Sequence, residues 1–150
     1  YSGTMSAAME ASIEGIPSIG FSLEDFSSEA DFTASKVIVR KVLTNIILGD
    51  KTPPSLLNVN IPKLPIDKIK GIKVCRQGIG RWEEEFQKGT DPRGQEYYWL
   101  ASEFHVDDDP SDITDLNALK AGYVSVVPSM HDLTHYPTID ELAHLNSESV

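Results

Sequence analysis

The sequence predicts an α/β protein in which helices and strands alternate around one sheet. Two patterns carry this prediction. Apolar residues recur at helical spacing in some segments, whereas apolar and polar residues alternate strictly in others. Along the chain these patterns follow one another as α-β-α-β-β, a hairpin, and then α-β-α. Such an order is typical of a layered sheet with helices on its faces.

The composition indicates a single globular domain and argues against partners made of nucleic acid or membrane. With 150 residues, 40% of them hydrophobic, the chain is long enough for one domain with a substantial core. Its net charge of -10 repels a phosphate backbone, so we expect no binding to duplex nucleic acid. No apolar run approaches the roughly 20 residues of a membrane helix, so we expect no membrane partner. The single cysteine, Cys75, lies in an apparent strand; we interpret it as a core side chain that fits a reducing compartment.

The first half of the chain contains two predicted helices and a series of strand signals. Glycine and proline bound these segments, as they commonly do at helix and strand ends. The predicted elements are, in order, a helix from Thr4 to Ile16, a strand around Ile19 to Leu23, a helix from Phe32 to Leu48 with Gly49 as its C-cap, a strand around Leu57 to Ile61, and a further strand signal from Gly71 to Gly78.

The second half is predicted to contain a long hairpin followed by helix, strand and helix. The turn signal at Asp91 to Gly94 separates two aromatic-rich segments within Arg81 to Ser102. A hairpin alone is marginal in water, so its aromatic side chains need another surface to cover them. The later elements are a helix from Ile113 to Lys120, a strand within Gly122 to Ser129, and a last helix with Ile139, Leu142, Ala143 and Leu145 on its apolar side.

Ser2, Gly3 and Thr4, at the start of the first helix, form the first candidate site. Ser2 or Thr4 can cap the helix, and Gly3 lets a ligand approach the unpaired backbone N–H groups. The helix dipole makes these groups electropositive, so an anion fits there. The alternative is an ordinary cap without a ligand.

Two further motifs contain residue types that can bind metal ions. The segment His131 to His135, HDLTH, has the histidine spacing of the zinc-peptidase motif H-E-x-x-H, but Pro137 disfavours the continuous helix that this motif requires. We interpret it as a surface loop in which Asp132 and Thr134 cap backbone groups, with a zinc hydrolase as the alternative. Asp107 to Asp109 lacks the alternating ligands and the glycine of an EF-hand and is interpreted as a solvated loop.

Five segments carry a family resemblance. They are YSGTMSAAMEASIEGIPSIGFSL, LLNVNIP, GIKVCRQG, DPRGQEYYWLAS and AGYVSVVPS, in this order. Together they resemble the SurE family of stationary-phase survival proteins, which are metal-dependent 5′/3′-nucleotidases. The similarity runs from Tyr1 to about Thr134. It implies the second half of a Rossmann-like three-layer domain, with a projecting β-hairpin arm and a C-terminal helix.

The resemblance also implies a site that is only partly present. In SurE proteins the segment similar to Tyr1 to Thr4 follows a loop rich in glycine and asparagine, and a tandem aspartate and a serine come earlier still. Those upstream residues bind the divalent metal, so the resemblance implies one Mg²⁺ or Mn²⁺ per subunit and no metal or catalytic ligand in this segment. It assigns Ser2, Gly3 and Thr4 to the phosphate-binding edge. The implied reaction is hydrolysis of nucleoside 5′- and 3′-monophosphates, and we expect the chain as written to be inactive alone.

The resemblance further implies how the chain is divided and assembled. Residues 1–80 correspond to half of the core, residues 81–102 to an oligomerisation arm, and residues 103–150 to a return to the core and a C-terminal helix. In SurE proteins the arm and the C-terminal helix exchange between subunits, which implies a homodimer or homotetramer. Separately, we expect a cytoplasmic location. The contact residues on the arm are Trp82, Tyr97, Tyr98 and Trp99. The alternative function is a non-catalytic assembly module.

Overall fold

Helices and strands alternate along the part of the chain that the computed structural model describes, residues 2–49 and 54–147. Two short 3-10 turns, Ile66–Lys68 and Ala143–Ser147, accompany them. The elements are α1 Gly3–Ile13, β1 Ser18–Leu23, α2 Thr33–Ile47, β2 Leu56–Ile61, β3 Ile72–Val74, β4 Gly80–Thr90, β5 Glu96–Val106, α3 Asp115–Lys120, β6 Val124–Ser129 and α4 Tyr136–Glu141.

A four-stranded mixed sheet forms the body of the protein, with strand order β1-β2-β6-β3. Strands β1 and β2 run parallel, β6 runs antiparallel to β2, and β3 runs parallel to β6. The carboxyl ends of β1 and β2 therefore meet at one edge of the sheet, beside the first residues of β6.

Helix α2 covers one face of this sheet. Its residues Ile38 and Val42 join a buried cluster with Leu57, Val59 and Ile61 of β2. These β2 residues are the alternating apolar positions that predicted the strand, and they all point towards α2. Burial of this cluster is the main hydrophobic stabilisation of the sheet.

Helices α1 and α3 lie on the opposite face. Ser18 Oγ donates a hydrogen bond of 2.6 Å to the backbone carbonyl of Ala8 in α1. Ala118 of α3 packs against Val127 of β6 in a second buried cluster, to which Cys75 also belongs. The sheet therefore lies between two helical layers. The predicted α/β class is confirmed, and so is the prediction that Cys75 is a core side chain.

Strands β4 and β5 form a separate two-stranded antiparallel arm. The pairing starts at Gly80 opposite Val106 and continues to the turn at Asp91, where Gly94 adopts a φ of 81°. Only glycine takes this left-handed conformation without strain, so the turn signal correctly placed the reversal. The second strand continues past Ser102, the predicted end, because residues after it still pair with the start of β4. The division of the chain at residues 80 and 102 stays a prediction.

The arm has two chemically different faces, because cross-strand neighbours point to the same side of a ribbon. The apolar face carries Trp82, Phe86, Tyr98, Leu100 and Phe104. The acidic face carries Glu83, Glu85, Glu103, Tyr97 and Trp99. The four predicted contact residues are thus divided between the faces, two on each.

Helix α2 ends one residue earlier than predicted. Leu48, and not Gly49, is its C-cap, and the Leu48 N–H donates to the carbonyl of Thr44. Helix ends depend on individual backbone hydrogen bonds, which an apolar pattern does not resolve. No helix within residues 2–49 and 54–147 combines the length and the apolar character needed to cross a bilayer.

Other elements also differ from their predicted extent. Helix α1 ends at Ile13 and not at Ile16, because Gly15 takes a left-handed φ of 78°. Helix α3 begins at Asp115 and not at Ile113, because Thr114 is its N-cap and accepts from the Asn117 N–H.

Strand β3 ends at Val74 and not at Gly78, because the chain leaves β6 after Cys75. The Arg76 N–H donates to the Ile113 carbonyl at 3.3 Å, and the Gly78 N–H donates to the Asp115 carboxylate at 2.7 Å. The last helix begins at Tyr136, one residue before Pro137, and gives way to a 3-10 turn after Glu141. Proline is compatible with the first turn of a helix, where its missing N–H has no partner to lose.

Candidate phosphate-binding edge of the sheet

The start of α1 has the geometry of an open helix N-terminus. Ser2 is the N-cap, and its Oγ accepts a hydrogen bond of 3.2 Å from the Met5 N–H. The N–H groups of Gly3 and Thr4 precede the first bond of the helical ladder, so the helix itself gives them no acceptor. Ser2, Gly3 and Thr4 are all exposed. The predicted capping role therefore belongs to Ser2, and two N–H groups face outwards beside it.

Gly20 brings this helix start close to the sheet. A Cβ atom built on Gly20 would lie 2.7 Å from Met5 Sδ and 3.4 Å from Thr4 Cγ2. Thr4 lies beside Gly20, whereas Ala8, later in α1, is bonded to Ser18, which is earlier in β1. Helix α1 therefore runs antiparallel to β1. The first turn of α1 is therefore directed towards the carboxyl end of β1.

Polar side chains continue along the same face beyond Gly20. Ser22 of β1 is in register with Asn60 of β2, and alternation along the strands places both on the α1 side. Asn60 Nδ2 donates a hydrogen bond of 3.2 Å to Asn58 Oδ1. All three of these side chains are half-buried. In open α/β sheets ligands bind outside the carboxyl ends of the strands, so this edge can hold an anion with hydroxyl and amide groups beside it.

Ser22, Asn58 and Asn60 were not assigned to a site from the sequence. The two asparagines were read only as the polar positions of an alternating strand. The signal that could have found them is their place in a parallel strand with helices on both faces, where a nearly continuous apolar run is expected. Polar residues in such a strand indicate a candidate functional site and not only strand periodicity.

The HDLTH segment is not a metal site of the zinc-peptidase type. Residues 131–135 are non-helical, so the two histidines are not held one turn apart on a helix. Thr134 N–H donates a 2.8 Å hydrogen bond to Asp132 Oδ1, and the Tyr136 hydroxyl also donates to Asp132. Donation from Thr134 and then from Tyr136 lowers the pKa of Asp132 from 3.8 to about 2. The predicted surface loop is confirmed with Asp132 as its capping residue, whereas the Thr134 side chain contacts Asp132 and caps no backbone group in the described ranges.

The prediction of a solvated loop at Asp107 to Asp109 was wrong for Asp108. Its side chain is only 1% exposed and accepts hydrogen bonds from Arg76 at 2.9 Å and from the Ile79 N–H at 2.7 Å. A run of three aspartates gives no sign that the middle one turns inwards towards an arginine distant in sequence. Just after β3, burial raises the pKa of the Cys75 thiol, which is unlike an activated nucleophile.

The residues 2–49 and 54–147 contain no group of three or more His, Cys, Asp or Glu side chains arranged to hold a metal ion. These residues therefore do not fit the divalent cation that the family resemblance implies. Any such ion needs ligands from elsewhere.

Comparisons with known proteins agree with this architecture. The profile of the family described as Survival protein SurE matches residues 1–84. The chain belongs to the SurE family. It is 53% identical over 143 residues to a protein named 5′-nucleotidase SurE from Christiangramia forsetii, and 48% identical over 142 residues to one of the same name from Flavobacterium psychrophilum. Each of these alignments covers 95% of this chain.

A solved structure supports the same assignment. The SurE protein of Aquifex aeolicus superposes with a TM-score of 0.77 at 38% identity, over 98% of this chain and 58% of that one. The chain spans about half the length of the SurE relatives it matches, with 55% of each of the two named nucleotidases covered. Tyr1, the first residue of the segment that suggested the family, lies outside the described residues.

Proposed function

We propose that the protein is a SurE-type nucleotidase that hydrolyses nucleoside 5′- and 3′-monophosphates to nucleoside and phosphate with one Mg²⁺ or Mn²⁺ per subunit. The observation that carries the proposal is the 53% identity to a protein named 5′-nucleotidase SurE. The open start of α1 at the carboxyl edge of the sheet supports it independently. A buried reduced thiol at Cys75 fits the cytoplasmic location that we also propose.

In this proposal the start of α1 holds the substrate phosphate. The outward N–H groups of Gly3 and Thr4 donate to phosphate oxygens, and the Thr4 hydroxyl adds a further donor. Ser2 contributes by capping the helix, which keeps the two N–H groups aligned. These donors bind and orient the phosphate, and they stabilise the negative charge that it carries through the reaction.

The divalent cation would be held by residues outside the described part of the chain, and we derive no step through it. For the same reason we propose that a polypeptide limited to these 150 residues does not turn over nucleotides. In this proposal the described residues supply donors to the phosphate, and the metal site is the contribution that they lack.

The test is phosphate release from 5′-AMP and 3′-AMP by the intact protein, with Mg²⁺ or Mn²⁺ and then with EDTA. We expect release from both substrates and its loss in EDTA. Thr4→Val, which removes a hydroxyl at nearly constant volume, should weaken binding of inorganic phosphate about tenfold, whereas Ser28→Ala in an exposed loop should not. Activity that is indifferent to EDTA would contradict the metal dependence, and activity absent with every metal would contradict the nucleotidase.

A second function, assembly of copies through the arm and the C-terminal helix, is favoured by the exposed apolar surface of both. Trp82 and Phe86 on the apolar face are 64% and 67% exposed. On the C-terminal segment, Ile139 and Leu142 are also exposed. Apolar groups in such positions are typical of an interface. We propose a homodimer or homotetramer in which a partner subunit covers them, with or without catalysis.

A further inference from the structure

The acidic face of the arm offers carboxylates that have no partner in the structure. Glu83 is paired with Arg81 at 3.0 Å and with His105 at 3.2 Å. Glu85 and Glu103, in contrast, make no ion pair with any residue in the described ranges. On the same face Trp99 is 68% exposed. This face therefore combines free negative charge with exposed aromatic surface.

Helix α2 presents the opposite combination on its outer side, which we call the cationic face. Lys36, Arg40 and Lys41 lie there, and the helix contains no acidic residue, although the chain carries a net charge of -10. None of the three forms an ion pair within residues 2–49 and 54–147. They line a groove of about 450 Å³ together with Val37, which is 50% exposed.

The spacing of the charges on the two faces matches. Lys36 and Arg40 are four residues apart on a helix, and such side chains project about 6 Å from each other. Glu103 lies opposite Glu83, two residues along the ribbon from Glu85. Diagonal neighbours of this kind are about 7 Å apart. Two cations can therefore meet two carboxylates at once.

We propose that the acidic face of the arm of one copy docks on the cationic face of α2 of a second copy. This inference rests on the proposal that the arm assembles copies, and it names the surface that receives the arm. An assembly through the apolar face alone would leave Tyr97 and Trp99 in water. In a second contact with α2, Tyr97 and Trp99 would pack against Val37. The carboxylates of Glu85 and Glu103 would pair with Lys36 and Arg40.

The second copy is favoured as the occupant because both complementary surfaces are present on the same chain. In the described residues, α2 holds three cations without an ion pair along one groove, whereas Lys63, Arg76 and Lys88 are already paired and Lys70 and Lys73 lie over the ring of Tyr123. The acidic face repels any polyanion, so nucleic acid does not fit the arm. Charges of opposite sign on two surfaces of one chain allow one copy to dock on another with complementary potentials.

The experiment is a charge-reversal cycle in the intact protein, with self-association followed by sedimentation velocity at 0.05 and 0.5 M NaCl. One variant carries Glu85→Lys with Glu103→Lys, a second carries Lys36→Glu with Arg40→Glu, and the third combines all four changes. Glu29→Lys and Lys120→Glu, both at exposed positions away from the two faces, are the matched controls.

Each reversed pair should raise the dissociation constant about tenfold at low salt, and the combined variant should recover most of that loss. High salt should weaken the wild-type association, because exposed ion pairs are screened. A combined variant that associates no better than the separate ones would overturn the inference, while assembly through the apolar face could still stand. A protein that is monomeric at every concentration would overturn both, without bearing on the nucleotidase.

Discussion

At the scale of single residues, Gly20 sets the distance between α1 and the sheet. Its missing Cβ leaves the space that Met5 Sδ occupies, since an added Cβ would lie 2.7 Å from that sulfur. The same contact positions the first turn of α1, where the proposed phosphate donors lie. A larger side chain at residue 20 therefore requires a smaller one at residue 5.

We predict that Gly20→Ala lowers the free energy of unfolding by about 1 kcal/mol, because Met5 must leave its position. Adding Met5→Val should restore most of the loss by removing the sulfur from the contact. Urea unfolding of the two single variants and the double variant measures this coupling. Additive effects of the two substitutions would show that the contact does not limit the packing.

Asp132 is the residue for which the structure predicts a distinct pH dependence. Its pKa is lowered from 3.8 to about 2 by donation from Thr134 and Tyr136. A carboxylate with a lowered folded-state pKa stabilises the fold at pH values above its unfolded pKa, and this contribution is lost as the pH falls from about 4 towards 2. Asp132 therefore favours the order of the 131–136 loop at neutral pH and ceases to do so in acid.

Tyr136→Phe should raise the pKa of Asp132 towards 3.8, because it removes one donor to the carboxylate and leaves Thr134 in place. An NMR titration of the Asp132 carboxyl carbon measures the shift directly. Tyr123→Phe, distant from this loop, is the control and should leave the titration unchanged. An Asp132 pKa that is identical in wild type and Tyr136→Phe would contradict the hydrogen bond.

At the scale of elements, the base of the arm is tied to the body by charged groups. Arg76 bridges Asp108 at 2.9 Å and Asp112 at 2.7 Å, and Asp115 accepts from the Gly78 N–H. Asp108 also accepts from the Ile79 N–H, immediately before β4 begins. These contacts set the direction in which the ribbon leaves the sheet.

Asp108→Ala should lower the melting temperature by several degrees, because it removes a buried carboxylate that accepts from the Ile79 N–H and leaves Asp112 as the remaining partner of Arg76 Nη2. Asp109→Ala, one residue along, removes a carboxylate that contacts only Ser111 by its side chain and should change the melting temperature less. Differential scanning calorimetry of the two variants compares them. Equal shifts would mean that burial of Asp108 adds nothing to the stability of the arm base.

At the scale of the whole molecule, the arm projects from the sheet, and packing against the sheet does not account for its stability. Among the described residues its strands pair only with each other, and aromatic side chains on both faces stay exposed. A two-stranded ribbon gains too little burial to be stable alone, so contacts with other copies would add the burial that it lacks.

Replacing Trp82 and Tyr98 on the apolar face by alanine should dissociate the assembled protein, because buried aromatic anchors dominate interface free energies. Size-exclusion chromatography with light scattering gives the mass. Ser102→Ala, on the same face but without an aromatic ring, is the control and should keep the wild-type mass. A double variant that elutes with the wild-type mass would count against the apolar face as an interface.

Much of the fold followed from local patterns. The alternation in Leu57, Val59 and Ile61 predicted β2, and the glycine of the Asp91 to Gly94 turn predicted the hairpin, because both signals act over a few neighbouring residues. The helix start at Ser2 was found for the same reason. Boundaries such as the end of α2 were less accurate, since they depend on single hydrogen bonds.

By itself, the sequence determined the order and type of the elements, an N-cap at Ser2 or Thr4 and the family, because periodicity, turn chemistry and motif order are written along the chain. The tertiary structure alone decided that Ser22 and Asn60 share a face with the start of α1, that Asp108 turns inwards to Arg76, and that the arm has one apolar and one acidic face. Each of these depends on strand register or on contacts between residues far apart in sequence. A local pattern carries no information about such pairings.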